Sequence, residues 1–184
     1  MKTRKLIILL ILLISPFGCE IDEDQVTNEF LSDSFYPMNI GNYWKVNKDN
    51  YTEIVDTISI EGDLFYEFNT LIGGKDRYKK YLRIDENNNL IGKHPDDTTG
   101  KVTTYAQFNS STGDTFYTRN DTSVSDCQVV VIYKTDDTIK FEFDRIYHPD
   151  LKGSKFIRAY KKGFGLIRDN CKEAFIDSQV YILK

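Results

Sequence analysis

The sequence predicts an all-β fold: a single antiparallel meander, curled or barrel-like, of about ten short strands. Three observations carry this. Segment after segment alternates apolar and polar residues with a period of two, or runs through β-branched and aromatic residues. Between the segments stand turn-forming clusters such as Glu61-Gly62-Asp63, Asp85-Glu86-Asn87-Asn88-Asn89 and Thr135-Asp136-Asp137-Thr138. No stretch combines a helical apolar period with helix caps.

Taken in order, the first strand-like segment, 43–46, follows Gly41 and carries Trp44. Residues 53–60 put Ile54, Ile58 and Ile60 on one face, and 64–68 return after a turn. Segment 78–84 leads through the asparagine-rich turn to a short pair, Leu90 and Ile91. Gly73-Gly74, 94–100 and 110–114 punctuate the chain, and 102–108 and 115–118 flank a turn. Segment 127–134 contains Val129-Val130-Val131-Ile132, the solid run expected of a central strand covered on both faces. In 139–147, Ile139, Phe141 and Phe143 face one way and Lys140, Glu142 and Asp144 the other. Residues 156–160, 163–167 and 174–183 complete the series. The twelve Tyr and twelve Phe are read as core filling, with some tyrosines at the surface, because aromatics pair well across strands. The alternative is the lining of a carbohydrate or lipid cleft.

The N-terminus carries an address. Lys2, Arg4 and Lys5 precede an unbroken apolar run, 6–14, which ends in Ser15-Pro16-Phe17-Gly18-Cys19. Basic head, short apolar core and small residue form a secretory signal, too short to stay as a membrane-spanning helix. Cys19, preceded by Gly18, resembles the lipidation site of bacterial lipoproteins, where several fatty-acyl chains of palmitate type give stable anchoring. An ordinary cleaved signal peptide is the alternative. The expected organisation is a signal peptide over 1–18, an acidic flexible tether over 19–34 and a β-rich domain over 35–184. Glu20-Ile21-Asp22-Glu23-Asp24 reads either as a solvated tether or, by resemblance, as the surface-export signal of lipoproteins from Bacteroidetes-type bacteria.

Charge and cysteines narrow the classes. The formal net charge is −4, and loss of the three basic groups in 1–18 makes it −7. Such a domain has no field to attract nucleic acid and should not lie flat on an anionic membrane. Its length suits one core. Cys127 and Cys171 each begin a strand-like segment, and outside the cytoplasm the pair is expected to form a disulfide. Closing that loop of about 44 residues would contribute about 3–4 kcal/mol. The other reading is two unbonded buried thiols. Two cysteines and two scattered histidines make no metal cluster.

Four further anchors resemble uncharacterised lipoproteins of Bacteroidetes-type bacteria. They are the opening Tyr36-Pro37-Met38-Asn39-Ile40-Gly41-Asn42-Tyr43-Trp44, the strand end Leu82-Arg83-Ile84-Asp85, the turn Gly113-Asp114-Thr115-Phe116, and the late step Gly163-Phe164-Gly165-Leu166. Their order spans about residues 35 to 168. The resemblance implies an envelope address and a β fold, and it carries no chemistry. From the residues themselves, Gly41 and Gly163 are expected in turn geometries closed to other side chains, and Trp44 as a plug at one end of a core. Gly165 is expected to let an aromatic or backbone group pack close. Without a βαβ context Gly-x-Gly is no phosphate loop.

Catalytic and metal patterns are weak. Asp85, Asn87 and Asn89 have the spacing that begins a calcium loop, with Asp96 in twelfth place, but Leu90 stands where a glycine is required. A hairpin turn is the favoured reading. His94 and His148 accompany no serine elbow and no zinc motif; Glu67, Glu142 and Asp144 are candidates for the paired carboxylates of sugar hydrolysis, but Glu142 and Asp144 share a polar strand face expected to meet water. The expected protein is a non-catalytic, lipid-anchored outer-membrane lipoprotein without cofactor, its domain possessing either of two roles. It holds a glycan or lipid, or docks to an envelope protein; alternatively it is a structural accessory subunit of an envelope complex. A glycan-directed hydrolase is the least supported reading. A ligand holder should keep an aromatic-lined hollow, an accessory subunit a flat apolar patch or open strand edge, and an enzyme convergent polar groups with displaced pKa values.

Overall fold

The structure is a computed structural model that describes residues 33–167 and 171–182. Cys19, the signal segment and the tether up to residue 32 lie outside the described residues. Among the described residues thirteen antiparallel strands form two sheets, where one sheet of about ten is expected. The strands are β1 (Tyr43–Asn47), β2 (Asn50–Ile60), β3 (Asp63–Ile72), β4 (Asp76–Ile84), β5 (Asn89–Gly92), β6 (Thr103–Gln107), β7 (Thr115–Tyr117), β8 (Gln128–Lys134), β9 (Thr138–Asp144), β10 (Phe156–Lys161), β11 (Gly165–Ile167), β12 (Glu173–Ile176) and β13 (Gln179–Ile182). The eight-stranded sheet runs β13-β12-β1-β2-β3-β4-β5-β6, and the five-stranded sheet runs β11-β10-β9-β8-β7. Each is a chain of hairpins, so local turn chemistry sets most of the pairing. The final hairpin is the exception: β12 returns to pair with β1, Trp44 opposite Ala174.

One apolar core is shared by both sheets. Trp44, Ile54, Phe68, Leu82, Leu90 and Ala106 come from the eight-stranded sheet; Val129, Val131, Ile139, Phe141, Phe143 and Tyr160 come from the five-stranded one. The period of two on β9 is followed closely: Ile139, Phe141 and Phe143 are buried and Lys140 is exposed. Aromatic rings do much of the filling. Phe108 meets Tyr160 edge-on at 5.3 Å, Phe141 meets Tyr160 at 5.9 Å, and Trp44 stacks on Tyr36 at 5.5 Å. Phe35 and Tyr36 join this core just ahead of the first strand, and the Gly163 N–H donates to the Ser34 carbonyl at 2.8 Å.

Four expectations are corrected. Ile54, Ile58 and Ile60 do not share a face. The pairing of β2 with β3 slips between Ile54 and Asp56, and the extra residue of this bulge reverses the side-chain alternation. Ile54 therefore enters the main core, while Ile60 and the half-buried Ile58 pack with Phe65 and Tyr81 in a small second cluster. The valine run of β8 is covered on one side only: Val129 and Val131 are buried in the core shared with the other sheet, whereas Ile132 on the outer side is exposed. The segment 174–183 is two strands, split at Asp177 and Ser178, whose φ values of 51° and 71° make the turn. Finally, no disulfide joins Cys127 and Cys171. Both are buried thiols, but they belong to different sheets and face different partners. Cys127 directly precedes β8, where the Thr118 hydroxyl accepts its N–H at 2.9 Å; the Cys171 thiol lies 3.7 Å from the Lys45 carbonyl of β1 and 3.5 Å from the Glu173 carbonyl. Burial raises the pKa of the Cys127 thiol, which keeps it protonated and inert at neutral pH.

Candidate functional site: a hollow between the sheets

The shared core does not fill the whole space between the sheets. A cavity of about 220 Å³ opens above Tyr36, Phe68 and Tyr160. Thr52 and Thr70 from β2 and β3, Lys80 from β4, Tyr105 from β6 and Arg158 from β10 line its polar part. No aspartate or glutamate is among its lining residues. Tyr105 also lines two adjoining concavities of about 160 and 390 Å³, one toward Lys93 and Arg119 and the other toward Arg145 and His148.

The strand registers explain why cations stand here. On β10, Phe156, Arg158 and Tyr160 pair with Phe143, Phe141 and Ile139, so Arg158 occupies the middle of an otherwise apolar inner face. Its guanidinium carbon lies 4.9 Å from the Phe143 ring centre, 5.4 Å from that of Phe156 and 5.7 Å from that of Tyr105. On β4, Lys80 pairs with Phe68 and lies on the face of Leu82; its ammonium is 5.8 Å from the Tyr105 ring centre. Tyr105 owes its position to a glycine. A Cβ on Gly92 would come within 2.7 Å of Tyr105 Cε2 and 2.8 Å of Leu82 Cδ2, so only glycine allows the ring to lie there. Burial raises the Tyr105 pKa although Arg158 and Arg119 pull it down, so its hydroxyl is a neutral donor or acceptor and not a base. Thr52 and Thr70 share a hydrogen bond of 3.0 Å across the strands. The arrangement can orient a polar ligand among rings and hydroxyls.

The residues singled out in the sequence fall elsewhere. Gly41 and Gly163 have φ of 92° and 71°, as turn glycines should. Gly165, at φ 94°, is crowded: a Cβ would sit 3.1 Å from both Trp44 and Tyr36. Trp44 is buried and donates its indole N–H to the Phe164 carbonyl at 2.7 Å. Asp85, Asn87 and Asn89 form the β4–β5 turn, with Asp85 Oδ1 accepting the N–H groups of Asn87 and Asn89 at 3.0 and 2.7 Å. Asp96 stands in the loop after β5, its N–H donating to His94 Nδ1 at 3.2 Å. Among the described residues no group of three or more His, Cys, Asp or Glu is gathered. His148 Nδ1 accepts the Asp150 N–H at 3.2 Å. Glu142 pairs with Lys155 at 2.7 Å, and Asp144 accepts the Gly153 N–H at 2.8 Å. Glu67 pairs with Lys79 at 2.7 Å, on the opposite side of β3 from the hollow.

Lys80, Gly92, Tyr105 and Arg158 are the site residues that sequence reasoning passes over. The signal was present in one case: Phe156-Ile157-Arg158-Ala159-Tyr160 puts an arginine on the aromatic side of a two-residue period. No family model, no curated protein and no solved structure matches the chain.

Proposed function

We propose that the protein is a non-catalytic cell-envelope lipoprotein, anchored in the outer membrane through Cys19, whose β domain holds a ligand in the hollow between its sheets. The observation that carries the reading is the hollow itself: Tyr36, Phe68, Tyr105 and Tyr160 provide rings, and Thr52 and Thr70 provide hydroxyls, in a recess a core of this size would otherwise close. On this reading the eight-stranded sheet curls about the hollow. The resemblance of the opening segment and the late glycine step to Bacteroidetes-type lipoproteins supports the address. Glycans fit this lining better than acyl chains, since cations and hydroxyls interrupt the apolar surface.

A second reading has its own observation. The edge strand β13 leaves Val180 and Ile182 60% and 70% exposed, which suits an accessory subunit docking along an open strand. One experiment separates the two and tests the address. The natively expressed chain and a Cys19→Ala variant are compared by intact mass, then screened by thermal shift against neutral glycans, acidic glycans and lipid vesicles. An acylated mass lost on substitution, with a raised melting temperature for one glycan class, is the expected result. An unmodified protein beginning near residue 19 would remove the anchor, and no shift with any ligand would leave the docking role.

A further inference from the structure

We propose that the hollow takes an acidic sugar of uronic-acid type, its carboxylate seated on Arg158. This rests on the ligand-holding reading and names the ligand class.

Arg158 is half-buried, and among the described residues no carboxylate lies within ion-pair distance of it. It shares this with half-buried Arg145 and Lys134, but Lys134 is taken up by the Phe108 and Ser110 carbonyls. Partly buried charges normally find a partner within the protein. Lys93, Arg83 and Lys45 do so, pairing with Glu61, Asp63 and Glu173. Around Arg158 the neighbours are rings instead. Phe143, Phe156 and Tyr105 steady the guanidinium through their π faces, an attraction that leaves its N–H donors unused. A planar fork of donors held by rings, facing a recess without a single carboxylate, matches a carboxylate bidentately. Lys80, across the recess on β4, adds a second positive charge.

The rest of the lining selects a sugar as the bearer of that charge. Thr52, Thr70 and Tyr105 offer hydroxyls to a hydroxylated ring, and Tyr36, Phe68 and Tyr160 offer flat apolar faces. Of the neighbouring concavities, one is bordered by Lys93, Lys101, Arg119 and Asp97, with Lys93 and Lys101 paired to Glu61 and Asp121, and the other by Arg145. A short acidic oligosaccharide would place one uronate in the hollow, with Arg119 on one side and Arg145 on the other.

The test is calorimetric titration of the full chain with oligogalacturonate and with a neutral galacto-oligosaccharide of equal length. The same titrations use Arg158→Gln and Arg158→Lys, each checked for folding by circular dichroism and melting. Wild type should bind the acidic oligomer at least about tenfold more tightly than the neutral one, the scale of one charge-assisted bidentate contact. Arg158→Gln should weaken binding of the acidic oligomer at least about tenfold more than that of the neutral one, removing the preference, and Arg158→Lys should restore it only in part. Should Arg158→Gln fail to fold, an Arg158→Lys protein with unreduced preference overturns the assignment to the guanidinium. Equal binding of both oligomers overturns the acidic ligand but leaves a ligand-holding protein. No binding of either sugar or of phosphatidylglycerol vesicles removes both readings. Binding of phosphatidylglycerol vesicles in place of sugars, lost in Arg158→Gln, overturns the sugar and assigns the contact to a lipid phosphate.

Discussion

The space between the two sheets is built in two ways. Around Trp44, Phe108 and Phe141 it is solid, ring against ring, with the indole N–H satisfied by a carbonyl. Around Tyr105 and Arg158 it is left partly empty and polar. Tyr36, Phe68 and Tyr160 belong to both regions, as the end wall of one and the floor of the other. The contrast shows that one core can combine a close-packed region, which supplies stability, with an open one that forgoes some packing and, on the proposed reading, keeps donors and charge available to a ligand.

Substitutions can break that division. The largest effect is expected from Trp44→Ala, which empties the packed region and strands the Phe164 carbonyl; it should destabilise by about 3–5 kcal/mol, read from the urea midpoint. Gly92→Ala tests the open region. Its new Cβ must displace Tyr105 or Leu82, so a loss of about 1–3 kcal/mol is expected, together with a changed tyrosine environment in near-ultraviolet circular dichroism. An unchanged spectrum would mean that Gly92 does not set the ring's position. The smallest effect concerns the rim. Hydrogen bonds from Ser123 and then Lys101 hold Asp121 down from 3.8 to about 2, and the Thr99 hydroxyl lowers Asp97 in the same way. Carboxylates with depressed folded-state values stabilise above their unfolded value near pH 4 and lose that contribution as pH falls through the folded one. Melting temperature should therefore drop between about pH 4 and pH 2. Asp121→Asn should flatten that slope, and an unaltered slope would remove Asp121 from the account.

How far the sequence discloses this depends on the range of the interaction. β9 is legible because its alternation is uninterrupted, and the Asp85 turn because an aspartate bonding its own backbone is a local event. The β2 bulge is not legible: Val55 looks like any strand valine, and only the pairing with β3 reveals the slip. The cysteine pair misleads because strand-start position says nothing about which sheet a strand joins. The hollow was the least visible part. Lys80 reads as one half of a common Lys-Lys step, Gly92 as a strand end, and Tyr105 as one aromatic among many. Their significance arises from β4, β5 and β6 lying side by side with β10 opposite.

The way the chain enters the fold has a mechanical side. Phe35 stacks on Phe108 at 5.2 Å, and Tyr36 touches Trp44, Phe68 and Tyr160, so two consecutive residues grip both sheets before the first strand begins. The Ser34 carbonyl is clamped by Gly163 directly ahead of them. Tension arriving from the N-terminal side would meet this wedge first and be divided between the sheets, instead of unzipping an edge strand bond by bond. Force applied from that end would thus reach the core of the domain before its edges.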